Sequence, residues 1–204
     1  MTTKIDLKKE LKHLYHPSPK QPVIVEVPPM NYLMVDGKGD PGTSQAFKDA
    51  VSSLFPLAYA LKFAVKKQQG TDYVVMPLQG LWWIEDMSKF QQASRDDWQW
   101  TAMIMQPEYV TAALVEQIRP EVEKKKNPPA LAKIRFKSYH EGLAVQLMHI
   151  GPFAEEGPNI ERMHAFAIQQ GYQLHGKHHE IYLSNLERTA PDKLKTVLRQ
   201  PITQ

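Results

Sequence analysis

The chain of 204 residues has no cysteine. That excludes disulfides, thiolate metal sites and a cysteine nucleophile, leaving oxygen, nitrogen or water as the only nucleophiles. No run approaches the roughly 18 to 20 continuous apolar residues that span a bilayer, and Met1-Thr-Thr-Lys-Ile-Asp6 lacks the apolar core of a signal peptide. The expected location is therefore the cytoplasm, without a membrane partner. Charge of one sign is also scarce. A formal net charge of +3 is too small to predict a nucleic-acid partner. The basic runs Lys8-Lys9 and Lys124-Lys125-Lys126 carry no interleaved aromatics and read as solvated helix ends. A GxSxG elbow is absent, and Gly37-Lys-Gly-Asp-Pro41 has neither phosphate-loop spacing, so it reads as a tight turn. His175, His178 and His179 beside Glu180 have the chemistry of metal ligands but not the arrangement. His178 and His179 would point to opposite faces of a strand, and no histidine pair sits one helical turn apart with a supporting carboxylate. Neither a metal nor another cofactor is expected.

What the chain does hold is 42% apolar residues, enough for a core, and 16 prolines that mark boundaries. A charged helix over Lys4–Tyr15 is stopped by His16-Pro-Ser-Pro-Lys20, so residues 1–20 read as an N-terminal helix and linker. One domain then spans 21–204. Its first half, about 22–106, opens with strands at Val23–Val27 and Tyr32–Val35. A helix capped by Thr43 or Ser44 follows, its stripe of Phe47, Val51, Leu54, Ala58, Leu61 and Val65 running in phase through Pro56. Strands Tyr73–Met76, continuing towards Leu81–Ile84, and Trp98–Met105 complete it. An amphipathic segment, Pro107–Lys126, makes a connecting helix over about 107–127. The second half, about 131–201, repeats the order: strands Ile134–Tyr139 and Leu143–Ile150, a Gly151-Pro152 turn, a helix over Pro158–Gln170, and strands His179–Ser184 and Leu194–Arg199. The fold class is α+β, with tandem βαββ modules, antiparallel sheets and helices on one face.

Alternation in His178-His-Glu-Ile-Tyr-Leu-Ser184 places His178, Glu180, Tyr182 and Ser184 on one face of a strand. That face is either an ordinary solvated surface or the lining of a cleft between the halves. Trp82, Trp83, Trp98 and Trp100 fall in one strand pair of the other half, Trp98 and Trp100 on one face and Trp82 split from Trp83. They are either core or a flat platform for a planar ligand, with cation–π attraction if that ligand is charged. Tyr59, off the apolar stripe of its helix, is placed to close one end.

The stretches Tyr32–Pro41, Leu57–Lys62, Leu78–Glu85, His149-Ile-Gly-Pro-Phe153, Gly176–Ser184 and Lys195–Arg199 together resemble the GyrI-like proteins in their stand-alone form. The resemblance covers most of the chain from about Val23. It implies a pseudo-twofold pair of βαββ modules with a ligand cleft between the halves and a buried glutamate, matched by Glu180. Stand-alone relatives look like hydrolases that open strained, cyclopropane-bearing DNA alkylators with water and so detoxify them. The resemblance puts Glu180 at the catalytic position, with Tyr182 and Tyr59 as further catalytic candidates. Trp83, Trp98, Trp100, Tyr32, Met34 and His149 are the candidates for lining the ligand. Phe55 departs from the tyrosine that many relatives carry before the proline.

A carboxylate and a phenol suit such chemistry, one handling a water proton and the other an oxygen that gains charge. Burial among aromatics could instead make Glu180 an acid. Three functions fit: a hydrolase of electrophilic hydrophobic molecules, a protein that sequesters or senses cationic amphipathic compounds, and a gyrase-inhibitor-like interaction protein. The first two take a small-molecule partner. Oligomeric state and physiological substrate are not encoded in any motif.

Overall fold

The computed structural model describes residues 4–204. Two helical turns come first, α1 (Leu7–Glu10) and α2 (Lys12–Tyr15). The single helix expected over Lys4–Tyr15 is broken at Leu11, which leaves helical geometry at φ −96°, ψ 40°. Strands β1 (Val23–Val27) and β2 (Met30–Lys38) precede the long helix α3 (Gln45–Gln69), which Ser44 caps through its hydroxyl to the Phe47 N–H at 3.3 Å. Gly70 ends α3 in the left-handed region, and Pro56 is carried inside it. β3 (Leu78–Trp83) and β4 (Gln99–Gln106) follow, then α4 (Ala112–Lys126). The second half contains β5 (Arg135–Tyr139), β6 (Gly142–Ile150), α5 (Gly157–Gln169), the two-residue β7 (Gln173–Leu174), β8 (His178–Tyr182) and β9 (Lys195–Thr203).

Two expected elements shift. Tyr73–Met76 is not a strand: Tyr73 makes an isolated parallel bridge to Ile5, and the ladder starts only after Pro77, which has no N–H to give it. The connecting helix starts at Ala112, capped by Thr111, rather than at Pro107.

All the long strands pair antiparallel into one α+β sheet, ordered β1-β6-β9-β8-β3-β4-β2-β5, with β7 added to β9. β3 and β8 lie side by side at its centre, one from each half. Residues opposite each other in an antiparallel ladder share a face, so the register divides the sheet cleanly. Val35, Ala102, Gly80, Glu180, Leu198 and Leu147 form one row. Gly37, Trp100, Trp82 and His178 form the next row on the same face. This is the helix face. Phe47 of α3 packs on Trp82 and Trp100, while Met163 and Ala167 of α5 pack on Val145, Leu147 and Leu198. The opposite face carries the row Asp36, Thr101, Leu81, His179, Arg199, Gln146, and α2 lies against it through bonds from Arg199 and Gln146 to the carbonyls of Leu14 and His13.

Candidate functional site

Glu180 projects from β8 on the helix face, over the gap between α3 and α5. Its side chain is 12% exposed. Two residues along, Tyr182 returns to the same face and donates its hydroxyl to Glu180 Oε2 at 2.6 Å. On the other side, His178 Nε2 is 3.5 Å from Glu180 Oε1, too long for a good hydrogen bond. Burial first, and then the Glu180 charge, hold the Tyr182 pKa well above the ordinary phenol value, so this hydroxyl stays a donor.

Glycine makes room for the indoles beside it. A Cβ on Gly80, directly opposite Glu180, would sit 2.7 Å from Trp82 Nε1, and one on Gly37 would collide with the ring of Trp100. Trp82, Trp98 and Trp100 then make a cluster with Phe47 and Phe90, Trp82 and Trp98 having their centroids 5.7 Å apart. Phe90 belongs to the 3-10 turn Met87–Gln92 between β3 and β4. It stacks on Trp98 at 4.7 Å, and its ring centroid is 6.1 Å from that of His178. The connection that the sequence showed only as polar thus puts an aromatic cover on the site.

A second carboxyl of the same half reaches this place from the N-terminus of α5. Glu156 stands at the N-terminus of α5 but makes no side-chain cap there, and it is only 5% exposed. Burial, then the Glu180 charge, push its pKa up to about 9; the hydroxyl of Thr196 alongside only tempers the rise. It is a neutral acid at neutral pH. The turn that carries it is pinned by His149, whose Nε2 meets the Pro152 carbonyl at 3.1 Å and whose Nδ1 meets Asn159 Nδ2 at 2.8 Å. The indole N–H groups of Trp82, Trp98 and Trp100, both ring nitrogens of His178, Thr196 Oγ1 and Glu156 Oε1 are all buried without a hydrogen-bond partner. Such atoms are rare in protein interiors, and here they gather around Glu180 and Tyr182.

The expected site residues divide. Glu180, Tyr182, Trp98 and Trp100 share the helix face, and Trp82 joins them. Trp83 does not: it stands on the opposite face, where Lys177 Nζ lies 3.3 Å from its ring centroid, because the two-residue period gives the shared face to Trp82 instead. Tyr32 and Met34 are on that opposite face too, both buried, with Tyr32 edge-on to Tyr139 at 6.3 Å. His149 is on the helix face but buried, with both nitrogens engaged. Tyr59 is 48% exposed beside Phe55, about a third of a turn round α3 from Ser53, whose hydroxyl receives the Ala130 N–H just beyond α4. Glu156, Phe90 and Trp82 were not among the expected site residues.

A cleft of about 510 Å³ opens outside Phe90, between that 3-10 turn and α5, lined by Ile160, His164, Ile168, Leu174 and His178 among others. His178 forms a wall of this cleft and also stands 3.5 Å from Glu180. A second cleft of about 500 Å³, around Lys38, Asp86, Lys89 and Asp97, is charged and touches none of the buried site residues. Among the described residues, no group of three or more His, Asp or Glu is arranged to hold a metal ion.

Behind the site, on the opposite face, lies a dry polar network. Glu141 receives His179 Nδ1 at 2.8 Å and Arg199 Nη1 at 3.0 Å. Arg199 also holds Gln146 Oε1, from Nε at 3.0 Å and Nη2 at 2.9 Å. The other His179 nitrogen meets the Gln79 amide at 2.9 Å, and that amide meets the Tyr15 hydroxyl at 3.3 Å. Burial alone would raise the Glu141 pKa, but the His179 and Arg199 contacts outweigh it and bring it to about 2. Burial lowers that of His179, against the pull of the neighbouring Glu141 carboxylate. His179 immediately precedes Glu180, so this network fixes the strand that presents the candidate carboxylate.

The chain is similar to several solved structures. A conserved protein from Listeria innocua is 40% identical, covers 98% of this chain and 100% of its own, and superposes with a TM-score of 0.91. A hydrolase from the same organism is 38% identical with the same coverage and a TM-score of 0.85. A further L. innocua hydrolase is 40% identical, again over 98% and 100%, with a TM-score of 0.87. No curated protein matches the chain. The model of the GyrI-like small molecule binding domain matches residues 20–203, and the chain belongs to that family.

Proposed function

We propose that the protein is a cofactor-independent hydrolase of hydrophobic small molecules bearing a strained, electrophilic ring, with conjugated cyclopropanes as the substrate class and detoxification as its role. The observation that carries this reading is the 2.6 Å Tyr182–Glu180 bond on the same sheet face as a cluster of buried aromatic side chains. A carboxylate fixed in this way can take a proton from water only in the direction its second oxygen allows, and the surrounding indoles exclude bulk solvent while stacking on a planar substrate. The hydrolase relatives at 38% and 40% identity support turnover rather than storage. Incubation with a cyclopropane-bearing alkylator should give a ring-opened product heavier by one water in mass spectrometry. An unchanged substrate, bound but recovered intact, would sink the hydrolase reading in favour of sequestration. That second reading draws on the same aromatic walls around one carboxylate, which suit a lipophilic cation.

A further inference from the structure

The ring-opening reading leaves one role without an actor. When water attacks the ring carbon, the ring C–C bond breaks and its electron pair runs through the conjugated system to a carbonyl oxygen, which must be stabilised as it gains charge. Glu180 can take the proton that water loses. Tyr182 cannot also serve that oxygen, because its single O–H is already committed to Glu180.

We propose that Glu156 is the proton donor of the site, hydrogen-bonding the substrate oxygen and passing its proton to it as the ring opens. The geometry favours it on three counts. A glutamate at a helix N-terminus ordinarily stays in solvent near the positive end of the dipole, yet the Glu156 side chain makes no cap and is buried. Its Oε1 is buried and unpartnered, as is Thr196 Oγ1 next to Tyr182 in the ladder. Its turn is held at both ends by His149, bonded to Pro152 on one side and Asn159 on the other. A buried carboxyl held this firmly, with one oxygen unpartnered and only the Thr196 hydroxyl alongside, is placed for a ligand. The titratable and charged groups around it are Glu180 and Tyr182 on β8, Arg95 from the β3–β4 connection and His149 on β6. Glu180 keeps the proton on Glu156 and Arg95 opposes that, so the pair divides into one base and one acid. The balance is complete: substrate plus water gives the hydroxyalkyl enol or phenol. Glu180 ends with the proton that water gave up and Glu156 ends ionised, its own proton on the product oxygen, and exchange with solvent on product release resets both.

This inference rests on the hydrolase reading, and the experiment separates the two. Difference infrared spectroscopy at pH 7 should show the carbonyl stretch of a protonated carboxylic acid that is lost in Glu156→Gln and kept in Glu180→Gln. With a spirocyclopropyl cyclohexadienone as probe, single-turnover rates should fall about 10²- to 10⁴-fold in Glu156→Gln with affinity by tryptophan quenching nearly unchanged. The parent rate should also decline through about pH 9, and this alkaline limb should vanish in the variant. A carbonyl signal indifferent to Glu156→Gln, or a rate within twofold of the parent, overturns the donor. If the signal behaves as expected but the parent turns over no probe, the hydrolase reading has failed. The donor then stands only if affinity for a ring-free cyclohexadienone weakens above about pH 9 in the parent and not in Glu156→Gln, and is overturned otherwise.

Discussion

Trp82 folds its indole back over Gly80, so close that a Cβ on that glycine would stand 2.7 Å from Nε1. Gly80 is directly opposite Glu180 in the β3–β8 ladder, which makes this packing the reason an indole can lie against the candidate carboxylate. Gly80→Ala is therefore expected to push Trp82 out of place, at a cost of about 1 to 3 kcal/mol in stability from overpacking. Ligand quenching should weaken with it. Urea unfolding and a fluorescence titration on the same variant check both; a protein unchanged in each would show that Trp82 is free to move.

The two neighbouring tryptophans should behave differently. Trp98→Ala removes an aromatic wall and is expected to weaken a planar ligand about tenfold or more, in keeping with the 0.5 to 1.5 kcal/mol of an aromatic pair plus lost burial. Trp83→Phe lies behind the sheet and should leave affinity within about twofold. Equal losses at the two positions would mean that ligand reaches the opposite face.

Much of this arrangement was legible in the sequence. Strand period alone put His178, Glu180 and Tyr182 together and split Trp82 from Trp83. Period fixes relative faces, however, and does not say which face the helices cover, so choosing Trp83 over Trp82 could not be corrected without the register. Phe90 and Glu156 were missed for another reason. Both sit in aperiodic connections, Met87–Gln92 and the turn before α5, where no repeat announces direction. Glu141 and Arg199 are 58 positions apart and meet only because β6 and β9 are neighbours. A faint signal for Glu156 did exist: a glutamate just ahead of a helix opening on Gly157-Pro158 reads as a cap, and its failure to cap is visible only in three dimensions.

The Glu141–Arg199 pair gives a prediction about stability. Glu141→Gln strands the Arg199 guanidinium in a buried site and should cost about 3 to 5 kcal/mol at pH 7. Because the folded pKa of Glu141 lies at about 2, below its ordinary 4.5, the parent binds fewer protons folded than unfolded in that interval. Its contribution is complete above pH 4.5 and is lost as the pH falls towards 2, a change of about 3 kcal/mol. Urea midpoints at pH 7 and pH 3 should thus differ less for the variant than for the parent. A variant as stable as the parent at pH 7 would mean that the network contributes nothing net.

Glu180→Gln keeps the shape of the pocket and removes the base. Turnover should drop about 10²- to 10⁴-fold while affinity for neutral ligands changes far less. In a sequestering protein the same change would instead weaken cations selectively, since a buried positive charge loses its partner. Single-turnover rates and quenching titrations side by side decide between the two; both within twofold of the parent would remove Glu180 from the chemistry altogether.

Glu156→Gln should do something a merely structural glutamate would not: inactivate the protein and stabilise it. The folded pKa of Glu156, about 9, lies above its ordinary 4.5, so the folded state binds more protons than the unfolded chain between those values. Stability is therefore lost as pH rises through that window, because the unfolded chain ionises freely while the buried carboxyl resists; by pH 7 the cost is about 3 kcal/mol. Glutamine has nearly the same shape and no proton to lose, which removes the penalty without opening a cavity. Thermal melts of parent and variant should nearly coincide at pH 4.5, diverge in the variant's favour by several degrees at pH 7, and diverge further at pH 9. A variant less stable than the parent throughout would mean that Glu156 is ionised and bonded in the folded protein.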